Sequence, residues 1–283
     1  MTGKNTGPLR SFRKMHGLGN DFVIFDGRTD PLDLTAAEAR HIADRNRGIG
    51  CDQIITLRPS AKADVFMRIQ NADGSEVNAC GNATRCVGDL IIREKNADRV
   101  TIETGAGLLG AHRYDDLIRV DMGMPKRHWR DIPLAREMDT DHLDLTVGPL
   151  SDPVAVNMGN PHVVFFVDRV DEVALEELGP RVENHPLFPD RVNVSIVESR
   201  TDTHSHILRH RVWERGAGIT EACGSAACAV VVAATVRGLV ERTATIVLDG
   251  GTLYMDWDAE NHIHMTGTVR YVFDGEINLD HLS

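Results

Sequence analysis

The sequence predicts an α/β protein with extensive sheet, made of two copies of one unit. Three observations carry this. First, Glu214–Arg237 reads ERGAGITEACGSAACAVVVAATVR, and its second half, Gly224–Val236, is apolar on every side. As a helix it must be buried all round. Its β-branched Val230, Val231 and Val232 would also suit a buried strand, but the length of the run and the Arg237-Gly238 stop favour a helix. Second, Glu76–Lys95 repeats the arrangement, with Ala83, Cys86, Val87, Leu90 and Ile91 at the spacing of an amphipathic helix. Third, short matches recur in one order. Ala79-Cys80-Gly81 returns as Ala222-Cys223-Gly224 at an offset of 143 residues, and Gly19-Asn20 and Gln53 return as Gly159-Asn160 and Asn193 at 140. Such a series argues for a duplication, with a site where the copies face each other.

Cys80 and Cys223 each open one of these helices. There the first backbone N–H groups and the positive end of the helix dipole favour a thiolate and attract a substrate carboxylate.

Composition narrows the class. At 283 residues the chain can bury a sizeable core, and about two domains are expected. A net charge of −11 speaks against a nucleic-acid surface. Met1–Ser11 has no apolar core of signal-peptide length and no run approaches a membrane span, so a soluble cytoplasmic protein with a short disordered tail is expected. Five cysteines make no disulfide framework and point to reduced thiols. The spacings Cys80-x5-Cys86 and Cys223-x4-Cys228 are not those of structural zinc sites, and no metal is expected. Cys51, Cys86 and Cys228 read as core residues.

In chain order, a Gly-rich turn carrying Asn20 feeds a strand at Phe22–Phe25. Thr35-Ala-Ala-Glu38 is a capping box for a helix that should stop near Asn46–Gly48. Gln53 stands at the mouth of a strand at Ile54–Leu57, and the strand Phe66–Gln70 delivers the polar loop Asn71–Val77, which leads to Cys80. Strands at Val100–Thr104 and Ile118–Met122 close the first unit. After a less regular stretch to Pro149, Val154–Val156 leads through Asn160 and His162 into a strand at Val163–Val167. A short helix around Val173–Leu178 should stop at Gly179-Pro180. Asn193 opens the strand Val194–Val197, and His206–Trp213 delivers Glu214-Arg215-Gly216. The alternating His204, His206 and His210 read as a polar strand face meeting solvent rather than a metal set. Four strands, Ala244–Leu248, Thr252–Trp257, His262–Met265 and Val269–Phe273, end the chain, and the last could return to the first unit.

At these residues the sequence resembles the diaminopimelate epimerases. The resemblance is carried by Lys14-Met-His-Gly-Leu-Gly-Asn-Asp-Phe22, Asn71-Ala-Asp-Gly-Ser-Glu-Val77, Cys80-Gly-Asn82, Met158-Gly-Asn-Pro-His162, Arg191-Val-Asn193, Glu214-Arg-Gly-Ala-Gly218 and Ala222-Cys223-Gly224. It runs from about Phe12 to the C-terminus. It implies two pseudo-symmetric α/β halves, each a mixed, mostly antiparallel sheet wrapped around a central helix. The expected halves are 1–124 and 125–267, with 268–283 returning to the first. Ala83 and Ala226 stand where the family often has Gly, and the first ten residues extend beyond its usual start.

The resemblance implies cofactor-free interconversion of LL- and meso-diaminopimelate, in lysine and peptidoglycan precursor biosynthesis. Inverting an α-carbon requires a proton to leave one face and another to arrive at the opposite face, which two thiols can do, one as thiolate and one protonated. By resemblance, Cys80 is the donor and Cys223 the acceptor in the LL-to-meso direction; sequence alone allows the reverse. The N–H groups of Gly81-Asn82 and Gly224-Ser225 suit the α-carboxylate. Arg215, Asn71, Asn160 and Asn193 suit the substrate's distal amino-acid end. Resemblance adds Asn20 and Gln53 to the site lining, and His162 and Glu214 as residues that tune the thiols. No motif demands a homodimer, and none opposes it. The competing readings are another two-cysteine racemase, such as a proline or hydroxyproline epimerase, and a thiol redox or metal-binding protein. Neither of the last two uses the amides and the arginine.

Overall fold

The computed structural model describes residues 9–200 and 206–279. The chain divides into two compact units, Met1–Ile118 with Thr268–Ser283, and Arg119–Gly267.

In the first unit the elements are β1 (Leu9–Gly17), β2 (Asn20–Asp26), α1 (Ala36–Ala43), β3 (Gln53–Arg58), β4 (Val65–Asn71), β5 (Glu76–Val77), α2 (Gly81–Lys95), β6 (Arg99–Thr104) and β7 (Gly107–Tyr114). The unit boundary falls within β8 (Leu117–Asp121). The second unit holds β9 (Thr146–Val147), β10 (Leu150–Ser151), β11 (Val154–Asn157), β12 (Pro161–Phe166), α3 (Leu175–Glu183), β13 (Asn193–Ser199), β14 (Ile207–Glu214) and β15 (Gly218–Thr220). It continues with α4 (Gly224–Val236), β16 (Thr243–Leu248), β17 (Gly251–Trp257) and β18 (Ile263–Gly267). The last strand, β19 (Arg270–Asn278), pairs antiparallel with β1 and so belongs to the first unit.

The duplication is visible in the pairing order. In the first unit β1–β2 is antiparallel, β2–β3 parallel, β3–β4 and β4–β5 antiparallel, β4–β6 parallel and β6–β7 antiparallel. The second unit repeats this order from β11–β12 to β16–β17. Even the register is kept: Phe22 stands opposite Gln53, and His162, 140 residues on, stands opposite Asn193. Each parallel pair needs a crossover, and α1 and α3 serve one pair, α2 and α4 the other.

The apolar run read from the sequence is α4, and eight of its alanine and valine side chains from Ala226 to Ala234 are fully buried. It packs against β11, β12, β13, β14, β16, β17 and β18, so its unit is a sheet wrapped around one helix. In the first unit α2 lies against β1, β6 and β7. Gly88 permits the close approach, since a Cβ there would stand 2.7 Å from the Ala111 Cβ. This helix is more buried than an amphipathic pattern predicts: Asn82, Thr84, Arg85 and Asp89 are also inside. Each of these side chains has a hydrogen-bond partner, as with Arg85 Nη2 donating to Asn82 Oδ1 at 2.9 Å and Arg93 Nε donating to Asp89 at 2.8 Å. Among the described residues, no helix is long and apolar enough to cross a membrane.

Three expectations are corrected. The helix of the second unit does not stop at Gly179-Pro180; both lie within α3, which runs to Glu183. Gly179 is there for packing, because a Cβ on it would meet Trp213 Cγ at 2.5 Å. The carbonyl of Pro180 accepts from the Asn184 backbone N–H at 3.2 Å and from Asn184 Nδ2 at 2.8 Å, which ends the helix there. Secondly, α1 ends at Ala43, before the expected Asn46–Gly48, because the Asp44 side chain accepts from the Asn46 and Arg47 N–H groups and turns the chain. Thirdly, the histidine row is no solvent face. His204 lies outside the described residues and His206 is exposed ahead of β14, but His210 shares the buried face of β14 with Leu208 and Val212. Strand parity points it inward, and its Nε2 lies 2.9 Å from Ser195 Oγ.

Gly179→Ala should destabilise the protein by about 1–3 kcal/mol, because the rigid Trp213 ring must move for one methyl group. Urea unfolding followed by tryptophan fluorescence measures this, and an unchanged midpoint would show that the ring yields freely.

Candidate active site

Each copy of the repeat places a cysteine at the N-cap of its central helix. Cys80 (φ −150°, ψ 113°) precedes α2, and Cys223 (φ −125°, ψ 114°) precedes α4. Cysteine is a weaker cap than the Ser, Thr or Asp usual at this position. The first intrahelical bonds run from Thr84 N–H to the Cys80 carbonyl and from Ala227 N–H to the Cys223 carbonyl. The N–H groups of Gly81 and Asn82, and of Gly224 and Ser225, therefore precede the helical ladder, where an anion is favoured.

In the first unit the residues singled out by sequence form two sets. Asn20 Oδ1 accepts from Asn82 Nδ2 at 3.1 Å and from Cys80 Sγ at 3.8 Å. Gln53 Nε2 donates to Asn71 Oδ1 at 2.9 Å, across the β3–β4 pair, and Asn71 Nδ2 donates to Ser75 Oγ. Cys80 is half-buried.

The second unit gathers the others. His162 Nε2 lies 2.8 Å from Asn160 Oδ1. Asn193 spans between elements, its Nδ2 donating to the Pro161 carbonyl at 2.9 Å and its Oδ1 accepting from the Arg215 backbone N–H at 2.9 Å. The Arg215 side chain is exposed, and its Nη1 donates to the Asp190 carbonyl at 2.8 Å. Glu214 interacts with the Cys223 thiol and accepts from Thr220 Oγ1 at 2.5 Å. Cys223 Sγ lies 3.5 Å from Ser225 Oγ.

A helix N-terminus favours a thiolate, but at Cys223 the opposite holds. Burial pushes the Cys223 thiol well above its usual range, the Glu214 charge adds to the rise, and hydrogen bonds from Ser225 and the Ala226 N–H only partly offset it. The magnitudes explain the outcome, since a helix terminus supplies at most ~2 kcal/mol and full burial shifts a pKa by up to about 3–5 units. Burial likewise brings His162 down to about 3, assisted by the charges of His210 and Arg215, so its ring is neutral.

Several supporting residues carried no sequence signal. Glu183, at the end of α3, is a buried carboxylate that accepts from Trp213 Nε1 at 2.7 Å, from the Gly216 N–H at 2.9 Å and from Arg191 Nη1 at 3.1 Å. It thereby pins the loop that carries Arg215. Asp52 and Arg85 bracket the amides beside Cys80. No disulfide joins the five cysteines, and among the described residues no group of three or more His, Cys, Asp or Glu is placed to hold a metal ion.

The fold is shared with solved structures of low sequence identity. A Bacillus anthracis phenazine biosynthesis protein of the PhzF family superposes with a TM-score of 0.66 at 20% identity, covering 95% of this chain and 99% of that one. A hydroxyproline epimerase from Agrobacterium vitis, with bound trans-4-hydroxy-L-proline, gives 0.64 at 15% identity over 99% of this chain and 94% of that one. These place the chain among duplicated α/β proteins of the PhzF and hydroxyproline epimerase architecture.

Sequence narrows this further. The diaminopimelate epimerase family model matches residues 12–128 and 154–272, one segment for each copy of the repeat. A diaminopimelate epimerase of Acidiphilium cryptum is 53% identical over 95% of this chain and 96% of its own length. One from Rhodospirillum centenum is 52% identical over 95% and 93%. The chain belongs to the diaminopimelate epimerase family, a family of isomerases.

The two buried histidines predict a pH dependence of stability. His162 and His210 are each held at about 3 when folded, against 6.5 when free. The unfolded chain takes up these protons first, so stability is full above pH 6.5 and falls as the pH drops toward 3. Each ring contributes a slope of about 1.4 kcal/mol per pH unit at its steepest. Urea midpoints across this range should show the fall, and His210→Gln should flatten it; an equal slope in the variant would remove His210 as a cause.

Proposed function

We propose that this protein epimerises LL-diaminopimelate to meso-diaminopimelate without a cofactor, with Cys80 and Cys223 as the two proton-transfer groups. The observation that carries this is the pair of equivalent cysteines, each at the N-cap of a central helix, in a chain about half identical to diaminopimelate epimerases along nearly its whole length. The thiolate of one cysteine removes the α-proton and becomes a thiol. The other thiol gives its proton to the opposite face and becomes the thiolate. No electrons are gained or lost, and the reverse reaction exchanges the two roles.

Burial of Cys223 has a chemical use here. A poorly solvated thiolate is scarce but strongly basic, which suits a weakly acidic C–H, and the neighbouring Glu214 carboxylate adds to that basicity. The negative charge that develops spreads onto the α-carboxylate, where the N–H groups of Gly81, Asn82, Gly224 and Ser225 stabilise it. Asn71, Asn160, Asn193 and Arg215 hold the distal amino and carboxylate groups, with Asn20 and Gln53 completing the lining. His162, neutral at working pH, orients Asn160 rather than exchanging the proton itself. We place the reaction in the reducing cytoplasm, where the two thiols it needs stay reduced.

The test is solvent deuterium. Reduced protein with no pyridoxal phosphate should exchange deuterium into the α-position of diaminopimelate as it epimerises. Cys80→Ala and Cys223→Ala should each lower the rate by about 10²–10⁴-fold or more. Proline and hydroxyproline offered in the same assay should remain unlabelled. Labelling of these in place of diaminopimelate would reassign the substrate, and no labelling at all would end the proposal.

A further inference from the structure

Behind Cys80 four side chains form an unbroken line of hydrogen bonds. Asn20 Nδ2 donates to Asp52 Oδ2 at 2.9 Å, Asn82 Nδ2 donates to Asn20 Oδ1 at 3.1 Å, and Arg85 Nη2 donates to Asn82 Oδ1 at 2.9 Å. A carboxylate only accepts and a guanidinium only donates, whereas an amide can turn over and offer either end. With an acceptor at one end and a donor at the other, both amides are left a single orientation. We propose that Asp52 is a positioning residue for Cys80: together with Arg85 it fixes the polarity of the Asn20–Asn82 pair, so that an oxygen and not an amino group faces the sulfur.

The anchor itself is braced. Asp52 also accepts from the Asp21 N–H at 3.1 Å and from Arg45 Nη2 at 2.7 Å, and its own N–H donates to Asp21 Oδ1 at 2.9 Å. Asp21 in turn accepts from Lys14 Nζ at 2.6 Å and from both terminal nitrogens of Arg45. Burial pulls Asp21 upward, yet the Arg45 and Lys14 bonds together outweigh it and hold Asp21 at about 2. The charged groups around this end of α2 are thus Asp52, Asp21, Arg45, Lys14 and Arg85.

The consequence falls on Cys80. Its Sγ lies 3.8 Å from Asn20 Oδ1, within reach of an S–H···O bond. That oxygen accepts from the S–H and opposes a thiolate, so it favours the protonated form that a donor needs. The link to catalysis rests on the epimerase reading, but the orientation of the amides and its effect on the sulfur do not.

The experiment uses the full-length protein and iodoacetamide, with alkylation of the Cys80 peptide followed by mass spectrometry across pH. In Asp52→Asn the neutral side chain can face Asn20 either way, so Asn20 can turn its Nδ2 toward the sulfur. The midpoint of Cys80 alkylation should fall by about half to one pH unit. Removing a charge would also lower it, but that part shrinks in 0.5 M KCl, where screening acts within about 4 Å, whereas the hydrogen-bond part does not. Asp52→Glu, which keeps charge and acceptor, should stay near the native midpoint. If Asp52→Asn does not fold, Asn20→Ala removes the same oxygen and should lower the midpoint too. A native midpoint in the folded variant, or a shift abolished by salt, overturns the proposal. A shifted midpoint in a protein without epimerase activity would instead count against the reaction and leave the amide line standing.

Discussion

A helix that is apolar all round can exist only where sheet covers it on every side. That constraint governs the second unit: α4 must run through the middle of its strands, so its start must sit where the strands end and loops gather. The residue at that start is Cys223. The first unit reaches the same result by other means, with a helix whose buried polar side chains each find a partner. In both, the residue at the N-cap is a cysteine, at the end of the helix where a negative charge is favoured. Packing decides where the sulfur stands.

The electrostatics of the two sulfurs follow from their neighbours more than from their helices. A helix start pulls a thiol toward ionisation, but burial and a neighbouring carboxylate dominate at Cys223. Chemistry that removes a weakly acidic proton gains from this, because a base held in a dry site is stronger than the same base in water. The neutral His162 is likewise buried, with its Nε2 beside Asn160 Oδ1.

Much of this was legible from the chain. The bounds of α4 coincide with its apolar run because composition, length and the Arg237-Gly238 stop agree. The recurrence at 140 and 143 residues appears in the structure as a repeated order of strand pairing. The failures have specific causes. Gly179-Pro180 reads as a stop locally, but Trp213, distant in sequence, needs the bare glycine, and the helix continues past it. His210 looks like part of a wet row, yet strand parity sends it into the core beside Ser195. The strand β7 was missed because its two glycines and exposed leucine give no alternation. Glu183 and Asp52 act through partners in other elements, and single-chain patterns carry no trace of such contacts.

The two units share a plan of strands and helices but differ in what stands behind each sulfur. One has neutral amides locked by distant ions; the other has a carboxylate beside the thiol. Copying a gene segment yields two identical scaffolds, and a pair of identical scaffolds would treat mirror-related ligands alike. Here the ancestral symmetry survives in the order and direction of strand pairing, while the groups beside the sulfurs differ, Asn20 at one and Glu214 at the other, so the sulfurs are chemically unequal.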